Sequence, residues 1–156
     1  MGLPFVEDAG LSGFADLANR LSGLASKEGA LTLSVLEEIG SGIEAEAKEE
    51  IGHYQRSDVG PFAAWAELAP STKKDRVRGG FPENEPLLRT GELRDSIGHK
   101  VTGDGVAVGS DSEIAVYQEM GTETIPPRPF LRVAAWRMRR EIGKIYGRAF
   151  AKALKG

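Results

Sequence analysis

The feature that most restricts the fold of this chain is a run of apolar residues between residues 30 and 57. They recur every three or four positions, as Leu36, Ile39, Ile43, Ala47, Ile51 and Tyr54. Residues at this spacing share one face of an α-helix. Glutamates occupy the other faces, at Glu37, Glu38, Glu44, Glu46, Glu49 and Glu50. The pattern therefore predicts a long amphipathic helix with an acidic outer surface.

Two further stretches predict helices. Residues 8–25 carry a weaker stripe, because glycines within it lower the helix propensity. Its apolar residues are Leu11, Phe14, Leu17, Leu21 and Leu24. Residues 130–155 predict a second long helix. Its approximate apolar stripe is Leu131, Ala135, Met138, Ile142, Ile145, Ala149 and Leu154.

The chain between these helices is irregular at first. Glycines and prolines interrupt residues 59–89 repeatedly. Within them, residues 70–86 are predicted to form a polar, flexible loop, of a length that compact domains rarely keep without a function. Order returns at residues 87–97, which predict a short helix with Thr90 as a plausible N-cap.

A β-hairpin and a third short helix follow. Val101, Val106 and Val108 alternate around Gly103, which is the pattern of two strands joined by a tight turn. Residues 112–121 predict a helix that ends at a glycine. The next segment is extended, because three prolines forbid a helix.

Together these elements predict an α+β fold, with long N-terminal and C-terminal helices packed on a small antiparallel sheet that contains the hairpin. A length of 156 residues suits one domain. Its predicted parts are a helical part (1–58), an irregular segment (59–89), a helix–hairpin–helix and proline arm (90–130), and a basic C-terminal helix (130–155).

Charge is polarised along the chain, although the formal net charge is only −3. Residues 1–69 hold 12 acids and 4 bases, whereas residues 128–156 hold nine bases and one acid. The basic end could face nucleic acid, or the acidic part of another copy. A third interpretation is that the two surfaces only solvate the fold. One basic stripe, at Arg137, Arg140, Lys144 and Arg148, has the spacing to contact DNA phosphates without reading sequence.

No constellation of residues predicts an enzyme, a metal site or a cofactor site. The chain has no cysteine, which excludes disulfides, thiolate zinc sites and a cysteine nucleophile. Glu49 and His53 are four residues apart and could supply two metal ligands, but His99 is the only further histidine. An exposed surface pair is the expected role of Glu49 and His53. No apolar run approaches the ~20 residues that span a bilayer, so no membrane contact is expected.

Three ordered sequence blocks resemble a known family. The first contains Leu87, Thr90, Gly91, Leu93, Ser96 and Ile97; the second contains Tyr117, Glu119, Gly121 and Thr122; the third contains Pro127, Arg128, Pro129, Phe130 and Leu131. Trp65, Leu68 and Pro70 match an upstream feature. Over residues 60–135 this set resembles the neck and tail-completion proteins of tailed bacteriophages and prophages, the virion morphogenesis family with its minor tail protein Z-like members.

The resemblance implies a non-enzymatic virion protein, assembled in the host bacterial cytoplasm. It would form a six- or twelve-fold ring at the head–tail junction, surround the DNA channel, and contact neck, tail-terminator or tail-tube proteins. The candidate family-motif or subunit-contact residues are Trp65, Thr90, Gly91, Leu93, Tyr117, Glu119, Gly121, Thr122, Arg128, Pro129 and Phe130.

Two alternatives stay open at this point. The motif residues could pack within one subunit instead of contacting a neighbour. The basic stripe at Arg137, Arg140, Lys144 and Arg148 could meet channel DNA or an acidic neighbour in a ring. It could instead serve a monomeric, non-specific DNA-associated protein.

Overall fold

Two long helices, one at each end of the described chain, dominate the structure. This computed structural model describes residues 7–103 and 105–155, without the side chains of 7–18, 20, 21 and 24–27. The elements are α1 (Glu7–Glu50), α2 (Pro70–Arg78), α3 (Glu92–Asp95), β1 (Ile97–Thr102), β2 (Gly105–Ser110), α4 (Glu113–Met120) and α5 (Leu131–Lys155). The strands pair antiparallel as a two-stranded sheet. The predicted α+β class, with its long terminal helices and hairpin, is confirmed.

Helix α1 merges the two predicted N-terminal helices into one of 44 residues. At a rise of ~1.5 Å per residue it is about 66 Å long. It ends at Glu50, earlier than the predicted residue 57, because Gly52 turns the chain with a φ of 94°. The predicted apolar stripe over 30–57 is buried from Leu36 to Ile51. The side chains of the stripe over 8–25 lie outside the described residues.

The core forms where the hairpin and α5 pack against the second half of α1. Helix α5 covers α1 with a stripe that includes Ile145 and, in partly buried positions, Met138 and Ile142. The predicted stripe is wrong at Ala135, which is exposed, whereas Ala134 is buried. The buried face of α5 is therefore shifted by one residue from the predicted stripe. Phe130 and Val133, at the start of the helix, are fully buried and set its orientation.

Two glycines on α1 let its partners approach closely. A Cβ on Gly40 would lie 2.6 Å from His99 Cδ2 and 2.7 Å from Val106 Cγ2, so the hairpin rests on this glycine. A Cβ on Gly42 would lie 2.5 Å from Met138 Cε on α5. Real Cβ atoms do not come this close to other heavy atoms, so a side chain at Gly40 would displace the hairpin, whereas a side chain at Gly42 would push aside the flexible end of Met138.

The predicted flexible loop over 70–86 is wrong in its first half, where the chain forms α2. Pro70 stands at the start of this helix, where its missing N–H costs nothing and its fixed φ favours the helical turn. The buried Arg76 then holds the following segment. Its Nη1 donates to the carbonyl oxygens of Pro82 (3.1 Å), Glu85 (2.9 Å) and Leu88 (2.6 Å). The segment after α2 is therefore held as a turn by hydrogen bonds from Arg76.

The helix predicted over 87–97 is reduced to the four residues of α3. Its N-cap is Gly91, with a φ of 92°, and not Thr90. The hydroxyl of Thr90 still accepts a hydrogen bond from the N–H of Glu92 at 3.3 Å. The positive φ explains the shift by one residue, because glycine adopts this conformation without strain.

An ion-pair cluster joins the hairpin to α1. When charged, His99 on β1 donates through Nδ1 to Glu44 Oε2 (2.5 Å) and through Nε2 to Glu37 Oε1 (3.0 Å). Hydrogen bonds to Glu44 and then Glu37 raise the pKa of His99 above its usual 6.5. Hydrogen bonds from Lys48 and His99 lower the pKa of Glu44. The charged imidazole therefore stabilises the docked hairpin.

Replacing Gly40 by alanine should destabilise the fold by about 1–3 kcal/mol, because the new Cβ displaces the hairpin. The matched control is Gly29→Ala, also on α1, where nothing lies within 4 Å of the new Cβ. This control should gain about 0.5–1 kcal/mol from helix propensity. Urea unfolding measures both values. A Gly40→Ala protein as stable as the Gly29→Ala protein would contradict the close packing of hairpin and helix.

Stability should fall as the pH rises above neutrality, with His99 as the main cause. A folded pKa above the unfolded 6.5 means that the contribution is complete below pH ~6.5 and is lost as the pH rises through the folded value. Urea midpoints between about pH 6 and about pH 9 should show this loss in the wild type and not in His99→Gln. His53→Gln, which removes the exposed histidine, should keep the wild-type slope. Equal slopes in both variants would refute the assignment.

Candidate functional site

The carboxylate of Glu119 organises the segment in which the motif residues cluster. It is buried at the end of α4 and accepts the N–H groups of Phe130 (2.8 Å) and Leu131 (2.9 Å) on Oε2. Its Oε1 accepts the N–H (3.0 Å) and Nε–H (2.9 Å) of Arg132. The first N–H groups of a helix lack partners within it and favour a negative charge. Glu119 therefore caps α5 from a different helix.

The chain between α4 and α5 makes a tight turn. Gly121 has a φ of 75°, and a Cβ there would lie 2.9 Å from the carbonyl oxygen of Ile125 and from Pro127. The hydroxyl of Thr122 accepts the N–H groups of Thr124 (3.3 Å) and Ile125 (3.0 Å). The predicted role of Gly121 as a helix terminator with positive φ is confirmed.

Arg128 fastens the proline arm to the segment that precedes α2. Its backbone N–H donates to the carbonyl of Gln118 (2.6 Å). Its guanidinium donates to the carbonyl oxygens of Ala66, through Nε (3.2 Å) and Nη2 (2.8 Å), and of Glu67, through Nη2 (3.2 Å). Burial lowers the pKa of Arg128. The guanidinium of Arg128 thus links two irregular segments through hydrogen bonds to backbone carbonyl groups.

The motif candidates divide into two groups. The buried members pack inside the subunit: Trp65, Gly91, Leu93, Glu119, Arg128, Pro129 and Phe130. Thr90, Tyr117 and Thr122 are exposed, and Gly121 is partly buried. Most of the ordered blocks therefore shape one turn and its supports, and only the exposed minority can touch a neighbour directly.

Helix α4 presents an exposed apolar surface, which we call the α4 apolar face. Its members are 47–63% exposed: Ile114, Val116, Tyr117 and Met120. Of these, the sequence interpretation singled out only Tyr117. The signal it missed is that residues 114–117 are four consecutive apolar residues, more than one helix face can bury.

A groove of about 750 Å³ opens beside this face, between α2, α3, α4 and the proline arm. We call it the α2–α4 groove. Four motif candidates, Thr90, Gly91, Leu93 and Arg128, are among the residues that line it. The structure thus brings together residues from the first and third sequence blocks and from the helix that replaces the predicted loop.

Half of the predicted basic stripe pairs with α1 of the same subunit. Arg137 contacts Glu50 (3.1 Å) and Glu46 (3.6 Å). Arg148 contacts Glu38 (3.0 Å). These pairs set α5 antiparallel to α1.

The other half of the stripe has no such partner on α1. Lys144 pairs with Glu141 of its own helix (3.1 Å), and Arg140 forms no ion pair with a described residue. The charge polarity of the chain is thus partly neutralised within one subunit.

Among the described residues no group of three or more histidine, aspartate or glutamate side chains is arranged to hold a metal ion. The pair Glu49 and His53 does not share a helix face, because His53 follows the end of α1 and its Nδ1 contacts the carbonyl of Glu49 (3.1 Å). In the same part of the chain no helix is long and apolar enough to cross a membrane.

The sequence of the chain matches a known protein family. The model of the phage virion morphogenesis family matches residues 13–149, so the chain belongs to that family and has a role in the assembly of phage particles. No curated protein and no solved structure matches the chain.

Replacing Glu119 by glutamine should destabilise the fold by about 2 kcal/mol, because charge-assisted hydrogen bonds to the start of α5 are lost. Glu123→Gln is the matched control, since Glu123 is exposed in the same turn. Urea unfolding followed by circular dichroism gives both values. Equal stability of the two variants would show that the buried carboxylate does not hold α5.

Proposed function

We propose that this protein is a structural, non-catalytic component of the head–tail junction. It forms a ring of six or twelve copies that joins tail to head around the DNA channel of a tailed phage or phage-like particle. The observation that carries the proposal is the family match over residues 13–149. The neighbours in the particle are neck, tail-terminator or tail-tube proteins, and assembly takes place in the host bacterial cytoplasm.

The α4 apolar face supplies a surface for the ring contact. Its four large side chains are about half exposed or more, and all of them lie on α4. Soluble proteins rarely leave such a patch uncovered unless it is an interface. In a ring each copy uses two different surfaces, so this face meets a different patch of the next copy.

Charge plays a smaller role between copies than the polarity of the chain predicted. Arg137 and Arg148 already pair with α1 inside the subunit. The bases left for an external partner on the predicted stripe are Arg140 and Lys144. In the ring we place these two toward the DNA channel, where contact with phosphates needs no sequence recognition.

The same two residues favour a second candidate, a monomeric DNA-associated protein. Its affinity for any duplex would fall steeply with salt and would be lost in the double variant Arg140→Gln, Lys144→Gln. Such binding by a protein that stays monomeric at every concentration would favour this candidate over the ring.

Mass photometry and negative-stain microscopy test the ring. The wild type should give particles of six or twelve subunits of 16.7 kDa. The double variant Val116→Glu, Met120→Glu should lower the assembled fraction by about tenfold or more, because it places charges in a buried contact. Val77→Glu is the control, because Val77 is equally exposed but lies on α2.

Two results would contradict this account separately. A strict monomer at high concentration, with no ring on addition of tail or portal proteins, would refute the ring. Rings that persist in the Val116→Glu, Met120→Glu protein would refute the role of the α4 apolar face alone.

A further inference from the structure

We propose that the α2–α4 groove is a receptor for an acidic peptide segment of a partner protein, whose carboxylates pair with Arg76, Arg89 and Arg128. This site goes beyond the proposed ring contact. It uses a groove with buried charge, and of the α4 apolar face only Ile114 lines this groove.

The first observation is that two guanidiniums are buried in the groove wall without a carboxylate. Arg76 and Arg128 line the groove and are only 7% and 4% exposed. Neither forms an ion pair with a described residue, and both donate only to backbone carbonyls. A buried charge without an opposite charge is costly, so an anion that enters the groove gains binding energy from both arginines.

Donor atoms of both side chains are left for a ligand. The Nε and Nη2 atoms of Arg76 and the Nη1 atom of Arg128 donate to no described group. In the described part of the chain, the buried side-chain nitrogen and oxygen atoms that lack a partner are Gln55 Oε1 and Trp65 Nε1. The remaining nitrogens of the two arginines therefore reach solvent, and a carboxylate can accept from them.

Three arginines and two glutamates line the groove, which leaves a small excess of positive charge. Arg89 lines it as a third guanidinium, lies over the ring of Phe81 (4.6 Å to the centroid) and forms an exposed ion pair with Asp75 (3.3 Å). An exposed pair of this kind is weak, so a peptide carboxylate can compete with Asp75. Of the two lining acids, Glu67 is already bound by Arg56 (3.0 Å) and Lys73 (2.8 Å). Burial, and then the nearby Arg89, lower the pKa of Arg76.

The apolar walls favour a peptide over a free ion or a nucleic acid backbone. Three apolar side chains that line the groove are accessible, Phe81, Ile114 and Ile125, whereas Leu68 and Leu93 are buried in its wall. A phosphate ion or a DNA strand would leave these side chains uncovered, whereas a peptide that alternates acidic and apolar residues covers them. About 750 Å³ accommodates a short extended segment of a few residues.

The test uses the full chain and a dye-labelled peptide, acetyl-Leu-Glu-Leu-Glu-Leu-amide, with its glutamine counterpart as the neutral probe. Fluorescence anisotropy should show the glutamate peptide binding about tenfold tighter or more. Inorganic phosphate in excess should displace it, since both offer oxyanions to the same guanidiniums. Binding of the two peptides within twofold of each other, or no saturable binding, would overturn the proposal.

Matched variants locate the binding. Ile114→Glu adds a negative charge to the groove wall and should weaken the glutamate peptide about tenfold, whereas Val116→Glu, on the same helix but outside the groove, should not change it. Arg89→Gln should weaken it about fivefold, and the exposed Arg94→Gln should not. Circular dichroism confirms that the variants fold.

Two further outcomes separate this site from other binding. Equal binding by Ile114→Glu and Val116→Glu would place the peptide elsewhere. A 20-base-pair duplex that binds with sensitivity to Ile114→Glu while the peptide does not would replace the peptide by nucleic acid. Because Ile114 lies on both surfaces, Arg89→Gln separates them. Arg89 lies outside the α4 apolar face, so this variant should weaken the peptide and leave the rings intact, whereas Val116→Glu should do the reverse.

Discussion

The interaction on which most of this structure depends is the contact between the Glu119 carboxylate and the first N–H groups of α5. It fixes where the C-terminal helix begins and how α4 meets it. Phe130 is thereby held in the core, and α5 lies along α1. The tight turn at Gly121 and the fastening of the arm by Arg128 follow from the same geometry. The family blocks therefore act chiefly within the folded chain, where they shape the turn between α4 and α5.

Basic residues of α5 pair with acidic residues of α1, so part of the charge polarity of the chain is neutralised within the fold. Arg137 forms an ion pair with Glu50, which is buried. Burial raises the pKa of the Glu50 carboxyl, and the charge of Arg137 acts in the opposite direction. Arg148 meets Glu38 in an exposed pair. Exposed pairs contribute little to stability, so their main effect is to set the direction and register of α5 on α1.

How far the sequence could predict this fold depends on whether a feature is local. The stripe from Leu36 to Ile51 and the valines around Gly103 report local periodicity, and both predictions are confirmed. Helix α2 could not be predicted from its polar residues, because the segment after it is held by Arg76 through carbonyls six to twelve residues away. The burial of Ala134 instead of Ala135 likewise follows from the orientation set at Phe130.

The candidate site shows the same division. The motif residues could be named from the sequence, but not that Glu119 caps another helix, since this contact spans a turn whose shape depends on Gly121 and Pro127. The α2–α4 groove joins α2 to residues some fifty positions later, which no local pattern reports. The basic stripe was a local pattern, yet its partners lie about a hundred positions away on α1.

Hydrogen exchange at the amides of Phe130, Leu131 and Arg132 tests the central claim most directly. If Glu119 caps α5, these amides exchange slowly in the wild type, and Glu119→Gln accelerates them by about tenfold or more relative to amides in the middle of α5. The same protection of these three amides in both proteins would contradict the claim that the buried carboxylate holds the C-terminal helix in place.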